Sequence, residues 1–391
     1  MLNTSFPDWP SFTQEEADAV STTLLSNCVN YWTGMQCREF ECEFAAWAGV
    51  PYAIAVGNGT VALEAPLRAL GLRGGDEVIV TPRSFLASVS SVITEGAVPV
   101  FADVDRDTQN LSAESIAPHI TDRTRAISLV HLAGMPADMD PILELARSRG
   151  IAVIEDCAQA NGAKYRGQHV GTLGDVGAWS FCQDKIITTG GEGGMITTSN
   201  AELWDAMWSY KDHGKSYRAV YKDKHPVGFR WVHESIGING RMTEMQAAIG
   251  RIQLQRLPEW TARRQANAQR IWDAARQLPG LRVPTIPDWA EHAAYKCYVF
   301  VEPEALGEGW SRDRIIAEVS AAGVPCYQGS CSEIYLEKAF DGTPFRPAQR
   351  LPVAKELGET SLMFLVHPTL GEEHIAKTCD VLSQVMRKAA K

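Results

Sequence analysis

From residue 52 onward, short β-branched runs alternate with stretches of helical periodicity, and no other feature of the chain narrows its fold as much. Strands are predicted over residues 52–56, 77–81, 98–103, 126–131 and 151–155, with helices over 61–70, 85–95, 112–120 and 139–149 between them. Strands separated by helices of about ten residues connect through right-handed crossovers and build a mostly parallel sheet. A sheet of that kind binds ligands beyond the carboxyl ends of its strands.

Ahead of this rhythm a helix is predicted over residues 13–25, with Thr13 and Glu16 in capping-box spacing. After it, the runs 177–181 and 194–198 read as antiparallel strands that close the sheet. Residues 207–240 mix charges and aromatics without a period and read as an extended functional loop. One helix is expected from the Thr243 cap to residue 257 and another, after Pro258, over 259–278. The second would lead into a smaller α/β domain marked by the runs 296–301, 311–322 and 372–388. A chain of 391 residues exceeds one ordinary core, so the expected division is a large domain over 1–257 and a small one over 258–391.

Composition removes several functions. Lys and Arg number 37 against 47 Asp and Glu, and the basic residues are scattered rather than gathered in a stripe, so no nucleic-acid partner is expected. The nine cysteines are odd in number and form no C-x-x-C pair, which suggests neither a disulfide framework nor a metal site. The first ten residues hold no basic stretch followed by an apolar run, and no segment is long enough to span a bilayer. A cytoplasmic protein without a membrane partner is expected.

Four local features fall where a site on such a sheet would lie. Gly57-Asn58-Gly59-Thr60 follows a strand and opens a helix, a junction whose free N–H groups attract anions; an ordinary turn would look the same. Val153-Ile154-Glu155-Asp156 delivers an acid to the carboxyl edge, with Gln159 three residues on. An acid there can keep a pyridine nitrogen protonated, cap a helix or bind a metal. Ser180 ends a strand, and Lys185 follows inside a loop made pliable by Gly190, Gly191, Gly193 and Gly194. A lysine partly withdrawn from water in such a loop can lose its proton and attack an aldehyde, although most lysines are solvated surface charges. Gly237-Ile238-Asn239-Gly240-Arg241 enters the helix after Thr243 and alone would be a plain cap.

Order and spacing carry more than any single feature: a glycine turn, an aspartate with a glutamine, a lysine 29 residues past Asp156 (185 − 156), then Asn239. The segments GNGTVAL (57–63), GDEVIVTPRSFLAS (75–88), VIEDCAQANGAKYRGQHVGTLGDVGAWSF (153–181) and GINGRMTEMQAAIGRIQL (237–254) extend the pattern. With them the chain resembles the DegT/DnrJ/EryC1/StrS sugar aminotransferases from Thr33-Gly34 to His367-Pro368. The resemblance implies the fold type I architecture, a large domain with a mostly parallel seven-stranded sheet between helices and a smaller C-terminal α/β domain. It implies pyridoxal 5'-phosphate as cofactor, its phosphate held by Gly59, Thr60 and Ser180, and its ring stacked on Phe85. Asp156 would meet the ring nitrogen, Gln159 the ring oxygen, and Lys185 would bond to the aldehyde carbon. Asn239 would reach the phosphate of a neighbouring subunit, which implies a homodimer with shared active sites.

The activity implied is ping-pong transfer of an amino group, with glutamate as donor and a nucleotide-linked keto-deoxyhexose as acceptor. A lysine at position 185 favours transamination over the dehydration performed by relatives with histidine there. Gln328-Gly329-Ser330-Cys331 departs from the proline and histidine of many relatives in the region expected to meet the acceptor. His213, Lys215, His225, Arg230 and His233 offer cations for a diphosphate, but need no ligand as solvated loop charges. Two other readings stand beside this one: an aminotransferase for a keto-cyclitol or similar small ketone, and a non-catalytic cofactor-binding regulator.

Overall fold

Two helices, α1 (Gln14–Leu25) and α2 (Gln36–Ala48), precede the sheet in the computed structural model, which describes residues 5–391. The expected cap of α1 is present, the Thr13 N–H donating to Glu16 Oε2 at 2.9 Å. The alternation follows as β1 (Tyr52–Val56), α3 (Gly59–Ala69), β2 (Glu77–Val80), α4 (Ala87–Thr94), β3 (Val98–Phe101) and the single turn α5 (Ala113–Ile116). It continues through β4 (Thr124–Val130), α6 (Met139–Arg149) and β5 (Ala152–Asp156). The two-residue strands β6 (Lys164–Tyr165) and β7 (Gln168–His169) precede β8 (Val176–Ser180) and β9 (Gly194–Thr198).

The seven-stranded sheet has the order β1-β9-β8-β5-β4-β2-β3. Only β9 runs against its neighbours, so the expectation that both late strands are antiparallel is corrected for β8, which pairs in parallel with β5. Residues 157–175 give the connection the length that a parallel crossover needs. Six strands therefore end at one edge, which brings Val56, Asp156 and Ser180 to the same side of the molecule.

Past β9, the chain forms α7 (Ala201–Lys211) and the short α8 (Tyr217–Tyr221), so the loop expected over 207–240 begins as helix. Asn200 caps α7 by accepting from the N–H groups of Glu202 and Leu203. Tyr217 packs edge-on against Trp204 and Trp208, and this ring cluster accounts for the aromatics that obscured the helical period.

A second correction concerns Pro258. The helix α9 (Glu244–Ala275) is continuous through it for 32 residues. Proline removes one backbone hydrogen bond. The buried stripe Leu254, Leu257, Thr261, Arg264 and Ala268 nevertheless keeps its three-to-four-residue step across the proline, and that packing holds the helix together. The first half of α9 joins the core of the large sheet with Phe40 and Phe181, whereas Ala268, Ile271 and Ala275 join a second core. The boundary expected at 257/258 thus lies within one helix.

The second core surrounds a four-stranded antiparallel sheet formed by the later elements. In chain order these are β10 (Leu281–Arg282), β11 (Ala290–Glu291), β12 (Cys297–Val301), α10 (Arg312–Ala321), β13 (Cys326–Tyr327), α11 (Pro352–Thr360), β14 (Ser361–Phe364) and α12 (Glu372–Ala389). The strand order is β10-β12-β14-β13, while β11 pairs back to β6. Among the described residues no helix is long and apolar enough to cross a membrane.

Burial holds three histidines below the ordinary value of 6.5, His292 at about 3 and His169 and His367 at about 4. Because the unfolded chain takes up these protons first, stability is full above about pH 7 and declines as pH falls from 6.5 toward 4. Urea midpoints measured across that window should fall, with His292 contributing up to about 1.4 kcal/mol per pH unit. The His292→Gln variant should show a shallower slope.

Candidate active site

The turn after β1 is built around Asn58, whose extended backbone and side chain cap α3, the Val61 N–H donating to its Oδ1 at 3.0 Å. Gly59 and Thr60 are the first residues of that helix, where backbone N–H groups lack helical acceptors. The end of β8 presses against them so closely that a Cβ at position 59 would stand 2.7 Å from Ser180 Cβ and 3.0 Å from its Oγ. Only glycine fits there without moving the strand.

Asp156 closes β5 and is 3% exposed. Its Oδ2 accepts from Ser88 Oγ of α4 at 2.7 Å and its Oδ1 from the Ala158 N–H at 3.0 Å. Burial pushes its carboxyl above the ordinary range, while those two donors and the Lys185 charge pull it partly back. Gln159 turns its Oε1 to the N–H of Ala133 at 2.9 Å, which leaves its amide nitrogen as a donor toward the cavity.

Lys185 lies in the β8–β9 loop, its N–H donating to the Cys182 carbonyl at 3.1 Å and its carbonyl accepting from Trp9 Nε1 at 2.8 Å. Its Nζ is 3.6 Å from Asp184 Oδ1 and 5.3 Å from the centre of the Tyr295 ring. Tyr295 in turn donates its hydroxyl to Asp184 Oδ2 at 2.5 Å. Burial raises the Asp184 carboxyl, but the Lys185 charge and the Tyr295 hydroxyl outweigh it, so the group sits below its ordinary range.

One cavity of about 430 Å³ gathers Gly59, Thr60, Phe85, Asp156, Gln159, Ser180 and Lys185. Phe85 stands on its wall with an exposed ring. This is a concave polar site lined by the Lys185 amino group and a buried acid. It can take a flat heterocycle carrying an anionic group near the start of α3.

Other residues singled out by the sequence lie elsewhere in the protomer. Asn239 is exposed and bridges to Asp212, outside the cavity. Lys215 Nζ is 3.2 Å from Asp212 Oδ1 and sits over the Trp32 ring, while the His225 ring is held by the Ala219 carbonyl at 2.5 Å. His213, Arg230 and His233 are exposed, and none of these five lines the cavity. Cys331, in the segment that departs from many relatives, bridges to Ser84 next to Phe85. Ser88, Asp184, Tyr295 and Trp9 went unnoticed in the sequence. Ser88 could have been found one helical turn after Phe85, and Asp184 beside Lys185; Trp9 and Tyr295 arrive from distant parts of the chain.

A family model described as the DegT/DnrJ/EryC1/StrS aminotransferase family matches residues 10–383. The GDP-perosamine synthase of Caulobacter vibrioides is 40% identical over 375 residues, 94% of either chain. The dTDP-3-amino-3,4,6-trideoxy-alpha-D-glucose transaminase of Streptomyces venezuelae is 33% identical over 94% of this chain and 92% of its own. The solved structure of an aminotransferase from Psychrobacter cryohalolentis superposes with a TM-score of 0.96 at 60% identity, covering 98% of this chain and 99% of the other.

The contact between Gly59 and Ser180 gives a direct test of the site's packing. Gly59→Ala should cost about 1–3 kcal/mol, the usual scale of overpacking, and should lower the thermal midpoint. In a Ser180→Gly background, which removes the two nearest atoms, the same substitution should cost less.

Proposed function

The chain belongs to the DegT/DnrJ/EryC1/StrS aminotransferase family and is a pyridoxal-phosphate-dependent sugar aminotransferase of fold type I; from that premise we propose that it carries an amino group from glutamate to a nucleotide-linked keto-deoxyhexose. The observation that carries the reading is the meeting of Lys185 and Asp156 in one cavity at the carboxyl edge of the sheet.

The residues fit the cofactor. The first N–H groups of α3 and the Ser180 hydroxyl, which the bare Cα of Gly59 lets approach the start of that helix, suit a phosphate. Phe85 offers a face for the ring, and the Gln159 amide nitrogen a donor for the ring oxygen. Asp156, a buried acid held by two hydrogen bonds, would keep a proton on the ring nitrogen opposite it. Bound there, pyridoxal phosphate supplies an aldehyde that condenses with amines and a ring that withdraws electrons.

Lys185 would hold the cofactor through its amine and, once freed by the donor amine, that amine would be the base placed to accept the proton from the donor's alpha carbon. Asp184 and Tyr295 keep its amine beside the cavity during that exchange. The same lysine would return that proton in the second half of a ping-pong cycle, when a keto sugar would receive the amino group. Asn239, exposed and outside its own protomer's cavity, would complete the phosphate site of a second copy in a homodimer. The names of the relatives from C. vibrioides and S. venezuelae support a nucleotide-linked acceptor.

The purified protein with cofactor should be yellow, and glutamate should bleach it. Lys185→Ala should lose both the colour and the bleaching, and its transfer rate should fall by at least about 10²–10⁴. A wild type that stays colourless with added cofactor overturns the reading. Calorimetric titration with GDP, UDP and dTDP tests the acceptor class, and failure to bind any of the three would point instead to an acceptor without a nucleotide.

A further inference from the structure

Beside the site, and sharing Asp184 with it, lies a second cavity of about 500 Å³. Arg264 of α9 lines it and is only 2% exposed. Its Nε and Nη2 are buried without a hydrogen-bond partner, and the side chain makes no ion pair among the described residues. The Trp9 ring lies 4.9 Å from the guanidinium carbon.

We propose that Arg264 anchors an oxyanion subsite for one of the two substrates, either a carboxylate of the amino donor or a phosphate of the acceptor. The proposal rests on the aminotransferase reading for the identity of those substrates. The observation behind it does not: a buried guanidinium with unmet donors is a costly feature unless an acceptor comes to it. Arginine presents a planar fork that matches both carboxylate and phosphate oxygens.

The surroundings favour an anion. Lys296 lines the same cavity, its Nζ 3.2 Å from Ser330 Oγ and 5.2 Å from the Tyr295 ring centre. Gln328, from the segment expected to meet the acceptor, adds an amide. Burial and then the Arg264 charge pull His367 down to about 4, so it adds no positive charge and the anion-binding donors of this cavity are Arg264 and Lys296. Two acids also line the cavity, Asp184 and Asp8. Asp184 is committed to Lys185 and Tyr295, and Asp8 is exposed and forms no ion pair with Arg264. Burial pulls the Arg264 guanidinium down to about 9, with the Tyr295 phenol the one group that opposes the shift. A bound oxyanion would reverse that cost.

The cavity is also close enough to serve the reaction. Trp9 donates to the Lys185 carbonyl with its Nε1 and lays its ring against Arg264, so one side chain touches both. The Tyr295 ring lies under Lys185 Nζ and lines the Arg264 cavity as well. A molecule held by Arg264 would have its other end near the lysine amine.

The test uses the cofactor-loaded protein and two non-reactive probes, glutarate for a donor carboxylate and inorganic pyrophosphate for an acceptor phosphate. Calorimetry should show that wild type binds at least one of them, and that Arg264→Gln weakens it by about tenfold or more, the scale of one lost charge-assisted hydrogen bond. Arg264→Lys should recover part of that affinity. Weakening confined to glutarate assigns the subsite to the donor, and weakening confined to pyrophosphate assigns it to the acceptor. The probe that binds should also raise the thermal midpoint of wild type, a readout available even if Arg264→Gln does not fold. The proposal is overturned if wild type binds neither probe, or if both Arg264 variants that fold bind as wild type does. Failure of the aminotransferase reading is seen separately, as a wild type whose colour glutamate does not bleach.

Discussion

Glu155, wholly buried near the end of β5, accepts hydrogen bonds from the backbone of Gly171 at 2.7 Å, Leu173 at 2.8 Å and Gly174 at 2.7 Å, with the His131 ring at 2.9 Å. Those bonds fasten the segment before β8 to the strand, and Thr197 Oγ1 extends the clamp to β9 by donating to the Gly171 carbonyl at 2.6 Å. The strands on which Asp156, Ser180 and the Lys185 loop depend are thereby fixed to one another. Although His131, Glu155 and Cys157 lie close enough to hold a metal ion, both Glu155 oxygens are already taken by donors. Asp156, the next residue, points to the opposite face, as alternate strand residues do, and its carboxylate accepts from Ser88 and Ala158. One acid is used up in structure while its neighbour is kept available.

The same contrast explains what the sequence could and could not disclose. Gly59, Asp156, Ser180 and Lys185 were legible because each lies within a few residues of a strand's carboxyl end, and parallel strands bring such ends together. Tyr295, Trp9 and Arg264 carry no comparable local signal. Tyr295 is 110 residues from Lys185 (295 − 185), and its approach is fixed by burial in the first core and by its N–H donating to the Ala133 carbonyl at 2.9 Å. The direction of β8 was misread because antiparallel β9 is adjacent in sequence, whereas its parallel partner β5 lies across a long crossover. Helix α7 was missed because Trp204 and Trp208 pack on the Tyr217 ring and break the expected polar face.

Pro258 is the most instructive misreading, because helix continuity there has consequences for the site. On the near side of the proline, Gln253 Oε1 accepts from the Thr188 N–H at 2.8 Å and so braces the loop that carries Lys185. On the far side, Trp260 and Arg264 both pack on Trp9, whose Nε1 donates to the Lys185 carbonyl. Gln253 and Arg264 are eleven residues apart (264 − 253), about 16 Å along an unbroken helix. Had the helix ended at Pro258, the two braces would stand on separate elements, and the distance from the lysine loop to the Arg264 cavity would depend on how those elements settled. With one helix through the proline, that distance is set by backbone geometry. A substrate that spans the two cavities would then meet a spacing built into α9 rather than one produced by its own binding.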